Sequence, residues 1–387
     1  MIGNFIVSLL VYGFMMYFMT KSLLRYDNEL EIGETSISIW KNKLLMYPLL
    51  VFAFFYAVRW NVGSDCNSYI YGFYECFGEV DENTEIGFLY LERVFYSLHL
   101  NHYFFVFTIS FFLFGAIIYV FKNKPFVLVF FPLALFLTQD YWQWANLTRQ
   151  TIACAFLLVS IVFMDKKRYW ISALLIFIAM YFHKSVYAMY FVLPLLWLTR
   201  GKILNQWIQL GIFFTCFALQ STGVEGWLSD LLLKVGADAG YAENRMAILQ
   251  SEMDINFGLR SYMTLGFLSI VIWKSKKLTE YFDSRLFNYI YNMFFVGACI
   301  LMLFYANQGV KRAAIYFTYF VPFVASAFIY YCYQIKKEQN IWIEPFKFFV
   351  LFTVVGLIWL FISALPLPET GETVLYKFCF GRSLPTL

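Results

Sequence analysis

The residues able to do chemistry in this chain fall into a few short stretches. The most concentrated is Arg59–Arg93, which opens RWNVGSDCNSY and reaches TEIGF at Thr84–Phe88. It offers Arg59, Gly63, Asp65, Tyr69 and Glu85 in succession, and seven carboxylates lie between Asp65 and Glu92 although only 14% of the chain is charged. Asp65 and Glu85 suit the binding of sugar hydroxyls, which carboxylates hold in bidentate fashion, or acid/base work. Glu75, Glu79, Asp81 and Glu82 read as solvated loop carboxylates. His183, one of three histidines, stands in FHKS. An imidazole titrates near neutrality and can serve as a general base toward a hydroxyl nucleophile. The plainer role for such a histidine is hydrogen bonding, and His99 and His102 read as structural.

The cations are placed as tellingly as the acids. Arg59, Arg149, the His183-Lys184 pair, Arg260 and the Lys311-Arg312 pair each stand at the end of an apolar run. Cations at a membrane end are costly and usually serve a pathway or an anionic ligand. A lipid phosphate or pyrophosphate fits, because the planar guanidinium fork matches phosphate oxygens. The competing reading is that these side chains snorkel to headgroups or pair with nearby carboxylates. The chain has no phosphate-binding glycine loop, zinc motif or nucleophile elbow, so nucleotide hydrolysis, a metal centre and nucleic-acid binding are not expected. Its seven cysteines have no metal spacing, although Cys66 and Cys76 share the polar loop and could pair on an oxidising side. Asn146-Leu-Thr148 matches a glycosylation sequon but sits in too short a turn to carry weight.

The elements that must position these groups are membrane spans. With 61% hydrophobic and 22% aromatic residues among 387, the chain has too little charge to cover a soluble surface. Apolar runs of spanning length number twelve, at about 4–23, 43–60, 103–121, 125–140, 147–164, 168–182, 185–199, 206–220, 257–273, 286–304, 312–334 and 347–364. The first has no small-residue cleavage site and reads as a retained span. The breaks near 140–147 and 182–185 are short enough to be kinks or re-entrant turns. Of the 29 basic residues, 18 lie on the odd-numbered connections, with only 9 of the 25 acids. The positive-inside rule makes those connections cytoplasmic and puts both termini outside. The expected fold is therefore an all-α polytopic membrane protein of about twelve transmembrane helices. It forms a single domain over 1–387, with two large outer loops, 61–102 and 221–256, above the active-site cavity. Trp227–Val235 in the second loop has the pattern of an interfacial amphipathic helix.

Five motifs occur in order: Arg59-x3-Gly63-x-Asp65-x3-Tyr69, Glu85-x-Gly87-Phe88, Arg149-Gln150-x2-Ala153, Phe182-His183-x-Ser185 and Arg312-x3-Tyr316-Phe317. The set resembles the EpsG-type branch of the bacterial Wzy-like polysaccharide polymerases over roughly 45–330. The family's common Glu-Pro-Gly-Phe stands here as Glu85-Ile86-Gly87-Phe88. The resemblance implies polymerisation of O-antigen, capsule or exopolysaccharide repeat units at the outer leaflet of a bacterial inner membrane. The donor would be a glycan on undecaprenyl pyrophosphate and the acceptor the terminal sugar of another lipid-linked unit, without nucleotide sugar, metal or other cofactor. A chain-length regulator and a flippase are implied as partners. On this reading His183 or Asp65 is the base, and Arg149 and Arg312 stabilise the leaving pyrophosphate. Arg59, Tyr69, Glu85, Gln150, Lys184, Arg260, Lys311 and Tyr316 bind substrate. The rival readings are a polyprenyl-phosphate-sugar glycosyltransferase using Asp65, a transporter of lipid-linked glycan, and an O-acyltransferase using His183.

Overall fold

The computed structural model describes residues 2–33, 36, 38–60, 62–63, 65–78, 85–222, 227, 259–305, 310, 314–339, 347 and 376–379. Among these the chain is helical, and its one strand-like feature is an isolated antiparallel bridge between Arg59 and Phe378. The α-helices are α1 (Ile2–Glu31), α2 (Lys43–Ala57), α3 (Cys66–Tyr74), α4 (Ile86–Ser97), α5 (His102–Phe121), α6 (Pro125–Leu128), α7 (Phe131–Leu137), α8 (Asp140–Asn146) and α9 (Thr148–Asp165). They continue as α10 (Tyr169–Phe182), α11 (Met189–Leu198), α12 (Gln206–Leu219), α13 (Leu259–Trp273), α14 (Ser275–Phe282), α15 (Arg285–Leu303), α16 (Ile315–Thr318) and α17 (Val321–Gln339).

Polar caps explain several starts, since the first N–H groups of a helix lack intrahelical partners. The Asn42, Asn101 and Asn205 side chains accept from the N–H groups of Leu44, Phe104 and Trp207 at 2.9 Å, and Ser284 from Phe287 at 3.3 Å. Among the described residues five helical stretches are long and apolar enough to cross a membrane: Ile6–Glu31, His102–Phe121, Thr148–Asp165, Arg285–Leu303 and Ile315–Glu338. Pro125–Leu137 and Asp140–Asn146 make a sixth if taken as one span bent by 74°. The bend follows from Gln139, which takes a left-handed φ of 65° between them. Lys43–Ala57, Tyr169–Phe182, Lys184–Leu198, Gln206–Leu219 and Ser261–Trp273 are apolar but shorter. The apolar runs thus become helices of unequal length, and twelve spans do not follow from helix length alone. The 347–364 run and nearly all of the 221–256 loop lie outside the described residues.

Two compact units divide the chain, one formed by Met1–Phe191 with Thr353–Leu387 and the other by Val192–Phe352. In the first, α2 packs on α1 and α5, α9 packs on α5 and α10, and α4 reaches α10. Phe73, Phe88, Phe105, Ile109, Leu113 and Ile152 fill the seam between α3, α4, α5 and α9. In the second, α12 lies against α15, and Tyr291 Oη donates to Gln209 Oε1 at 2.7 Å across that contact. Gly297 lets α15 touch α16, for a Cβ there would lie 2.7 Å from the Phe317 carbonyl carbon.

Candidate active site

The site is built where α4 meets the end of α10. Glu85 precedes α4 in extended conformation, and its carbonyl accepts from the N–H groups of Phe88 and Leu89 at 3.1 Å. Ile86 is the first helical residue and is 66% exposed. That is the position where proline is favoured, because its N–H has no intrahelical partner. Here isoleucine occupies that position and opens the helix. Gly87 faces α10 so closely that a Cβ would lie 2.8 Å from both Cβ and O of Tyr181. This approach sets Glu85 beside His183, which leaves α10 with extended backbone at φ −160°. Phe88 packs on Phe105 from one side and Phe156 stacks on Phe182 from the other, so α4, α5, α9 and α10 are held together beneath the carboxylate.

One carboxylate then serves two partners. Glu85 Oε1 accepts from His183 Nδ1 at 2.9 Å, and Glu85 Oε2 pairs with Arg149 Nη1. Gln150 Nε2 lies 2.7 Å from His183 Nε2. Arg149 and Gln150 both come from the first turn of α9. Glu85 is buried and His183 nearly so, while the Arg149 side chain is 37% exposed and forms the open side of the cluster. Burial pushes the Glu85 carboxyl up, but the His183 hydrogen bond and the Arg149 charge outweigh it and hold the group below the usual carboxylate range.

This arrangement fixes the imidazole. With Nδ1–H donating to Glu85, the Nε2 lone pair is the basic one, and the Gln150 amide N–H donates to it. The Oε1 of Gln150 is buried with no partner among the described residues. Turned about, the same amide presents Oε1 to a protonated Nε2–H. Gln150 is therefore suited to face the histidine before and after it takes a proton.

A ring of supporting groups surrounds the cluster. The Arg149 guanidinium lies 5.9 Å from the ring centroids of Tyr69 and Phe88. Tyr69 Oη donates to the Asn146 carbonyl at 3.0 Å, and burial pushes its hydroxyl up. Glu92, two turns into α4, is buried, and burial pushes its carboxyl up to about 7 against the opposing pull of Arg149. Neither Glu92 nor Asn146 was expected at the site. The signal for Glu92 was its place one turn beyond Phe88, on the apolar face of an amphipathic helix.

Asp65 directly precedes α3, where its carbonyl accepts from Tyr69 N–H at 3.1 Å; the carboxylate on His183 is that of Glu85. Glu85, expected to bind sugar hydroxyls or to do acid/base work, has one donor on each of its oxygens, His183 and Arg149. Arg59 is buried, its guanidinium 3.7 Å over the Tyr56 ring with Nη1 donating to the Tyr56 carbonyl. Lys184 is exposed at the start of a 3-10 turn after His183. Tyr316 is buried in α16 of the second unit. Arg260 starts α13 with its side chain undescribed, and Lys311 and Arg312 lie outside the described residues. Cys66 and Cys76 are both buried free thiols. Among the described residues no three His, Cys, Asp or Glu side chains converge as metal ligands would.

Comparison with family models matches the EpsG family over residues 42–378. No curated protein and no solved structure matches the chain.

Proposed function

The chain belongs to the EpsG family, a family of Wzy-like polysaccharide polymerases, and from that premise we propose that it joins lipid-linked repeat units at the outer leaflet of a bacterial inner membrane. A growing glycan on undecaprenyl pyrophosphate is the donor, and the terminal sugar of a second lipid-linked unit is the acceptor. The observation that carries the reading is the single buried carboxylate shared by His183 and Arg149. It joins a group able to take a proton to a group able to hold an anion.

In the transfer, an acceptor hydroxyl displaces the Gln150 amide from His183 Nε2. Its oxygen attacks the anomeric carbon, the bond from that carbon to the pyrophosphate oxygen breaks, and the electron pair leaves with the pyrophosphate. The hydroxyl proton passes to Nε2, and Glu85 stabilises the imidazolium through Nδ1–H, as an orienting carboxylate does. Arg149, exposed on one side, meets the charge developing on the pyrophosphate. Holding two long lipid-linked substrates together supplies a further share of the rate.

Reconstitution tests this. The purified protein in liposomes receives its undecaprenyl-pyrophosphate repeat unit, with EDTA and without nucleotide sugar, and the products are run on a gel. A ladder spaced by one repeat unit is expected. A single added sugar, appearing only with a divalent ion and a polyprenyl-phosphate sugar, would instead make the protein a single-sugar transferase and shift attention to Asp65.

A further inference from the structure

The last four carbonyls of a helix have no intrahelical donor, and in a bilayer no water replaces one. At the end of α2 the donors come partly from the residues just beyond it and partly from a segment distant in sequence. The Phe54 carbonyl accepts from Val58 N–H at 3.0 Å, and the Tyr56 carbonyl from Arg59 Nη1. The Phe55 carbonyl accepts from the Tyr376 hydroxyl at 2.7 Å, 321 positions away in sequence. The Val58 carbonyl accepts from Cys379 N–H at 3.0 Å, and Trp60 N–H donates to the Lys377 carbonyl at 2.7 Å. Those last two bonds flank the Arg59–Phe378 bridge. The segment is anchored at its other edge too, since Tyr376 N–H donates to Ser8 Oγ of α1 at 2.7 Å. Tyr376 is fully buried, edge-on to Tyr12.

From this bonding we propose that Tyr376–Cys379 is a positioning element of the active site, a strap that caps α2 and fixes the polar loop leaving it. The path from strap to site is short. Val58–Trp60 is held in register by the strap, and three residues on Gly63 takes a φ of +97° with its backbone pressed on the Asn146 side chain. The Asn146 carbonyl receives the Tyr69 hydroxyl, and Arg149 lies near that same ring. Release of the strap leaves the carbonyls of Phe55 and Val58 without donors and frees the loop between Arg59 and Tyr69. The functional half of this inference rests on the proposed polymerase site; the structural half does not.

The test uses the full-length protein with Cys66 as its sole cysteine, so that Cys379→Ala is the reference. Alanine keeps the N–H at 379, and Cys66 is buried. Cys379→Pro removes that donor and constrains the bridge backbone, whereas Tyr376→Phe removes only the donor to Phe55. Each leaves a carbonyl at the end of α2 unpaired, so maleimide labelling of Cys66 is expected to rise about tenfold, and polymerisation to fall by a similar factor, relative to the reference. Equal yield of monodisperse protein in detergent shows that the variants fold. If Cys379→Pro does not fold, the milder Tyr376→Phe decides. Cys66 remaining protected in the folded variants would overturn the strap, whatever polymerisation does. Labelling that rises while polymerisation is unchanged would support the strap and remove the loop from the proposed reaction.

Discussion

Glu85 holds His183 and Arg149, and Gln150 faces the histidine, so the residue-scale tests turn on this cluster. His183→Ala is expected to lower the polymerisation rate by about 10²–10⁴-fold, the usual worth of a positioned general base. Gln150 separates that role from a merely structural one. Gln150→Ala leaves Nε2 open and is expected to retain much of the rate. Gln150→Glu places a carboxylate 2.7 Å from Nε2, holds a proton on the ring, and removes its basicity. If Gln150→Glu polymerises as fast as Gln150→Ala in reconstituted liposomes, Nε2 is not the base. Glu92 gives a test that needs no substrate. Its carboxyl is raised to about 7 in the fold and titrates in the ordinary carboxylate range when unfolded. The folded state therefore binds the extra proton between those values, and stability falls as pH rises from about 4.5 to 7. Glu92→Gln removes that slope. Its melting temperature should exceed the wild-type value at pH 8, with the difference shrinking toward pH 5; a difference independent of pH would contradict the assignment.

At the scale of elements, the site depends on two helices approaching backbone to backbone. Gly87→Ala puts a methyl 2.8 Å from Tyr181, which forces α4 off α10 and carries Glu85 away from His183. Polymerisation is expected to fall at least about tenfold, since overpacked contacts of this kind shift backbones rather than side chains. Gly211→Ala, whose Cβ meets nothing within 4 Å, serves as the control and should behave as wild type. In the second unit Cys216 on α12 and Cys299 on α15 are free thiols that lie close enough to interact. Copper-phenanthroline oxidation should join them in a bond that mass spectrometry locates; recovery of both as alkylated thiols would show that the two helices pack differently.

The same approach of α4 to α10 explains what was legible in the sequence. Arg149, Gln150 and His183 stand out because polar groups at the ends of apolar runs are conspicuous, and the structure brings these three together. Their carboxylate was not legible. Glu85 is 98 positions from His183, and Asp65 is as polar and as near a helix start, so only the tertiary contact at Gly87 distinguishes them. The run 43–60 was read as one span because it stays apolar to its end. The helix stops at Ala57, and the next residues pair with Lys377–Cys379, a partner that periodicity cannot reveal.

At the scale of the whole molecule, the short helices constrain where the bilayer lies. The 14 residues of α10 rise about 21 Å, against a hydrocarbon core of about 30 Å. Yet the basic residues Lys166–Arg168 before it and Arg200 and Lys202 after α11 read as cytoplasmic. The chain between them therefore crosses out and back through two short helices with His183 and Lys184 at the turn, or dips in from the cytoplasmic side without emerging. Charge cannot separate these, because both leave the basic ends inside. A bilayer thinned locally around short helices accommodates the first at modest cost, and outer-leaflet polymerisation requires it. Lys184 is exposed beside the proposed base and reports on it directly. In intact cells, after removal of the outer membrane barrier where one exists, a membrane-impermeant maleimide should label Lys184→Cys at once and Lys202→Cys only after permeabilisation. Labelling of both only after permeabilisation would put the Glu85–His183–Arg149 cluster on the cytoplasmic side. The chemistry of the cluster would stand, but lipid-linked repeat units already moved to the outer leaflet would never reach it.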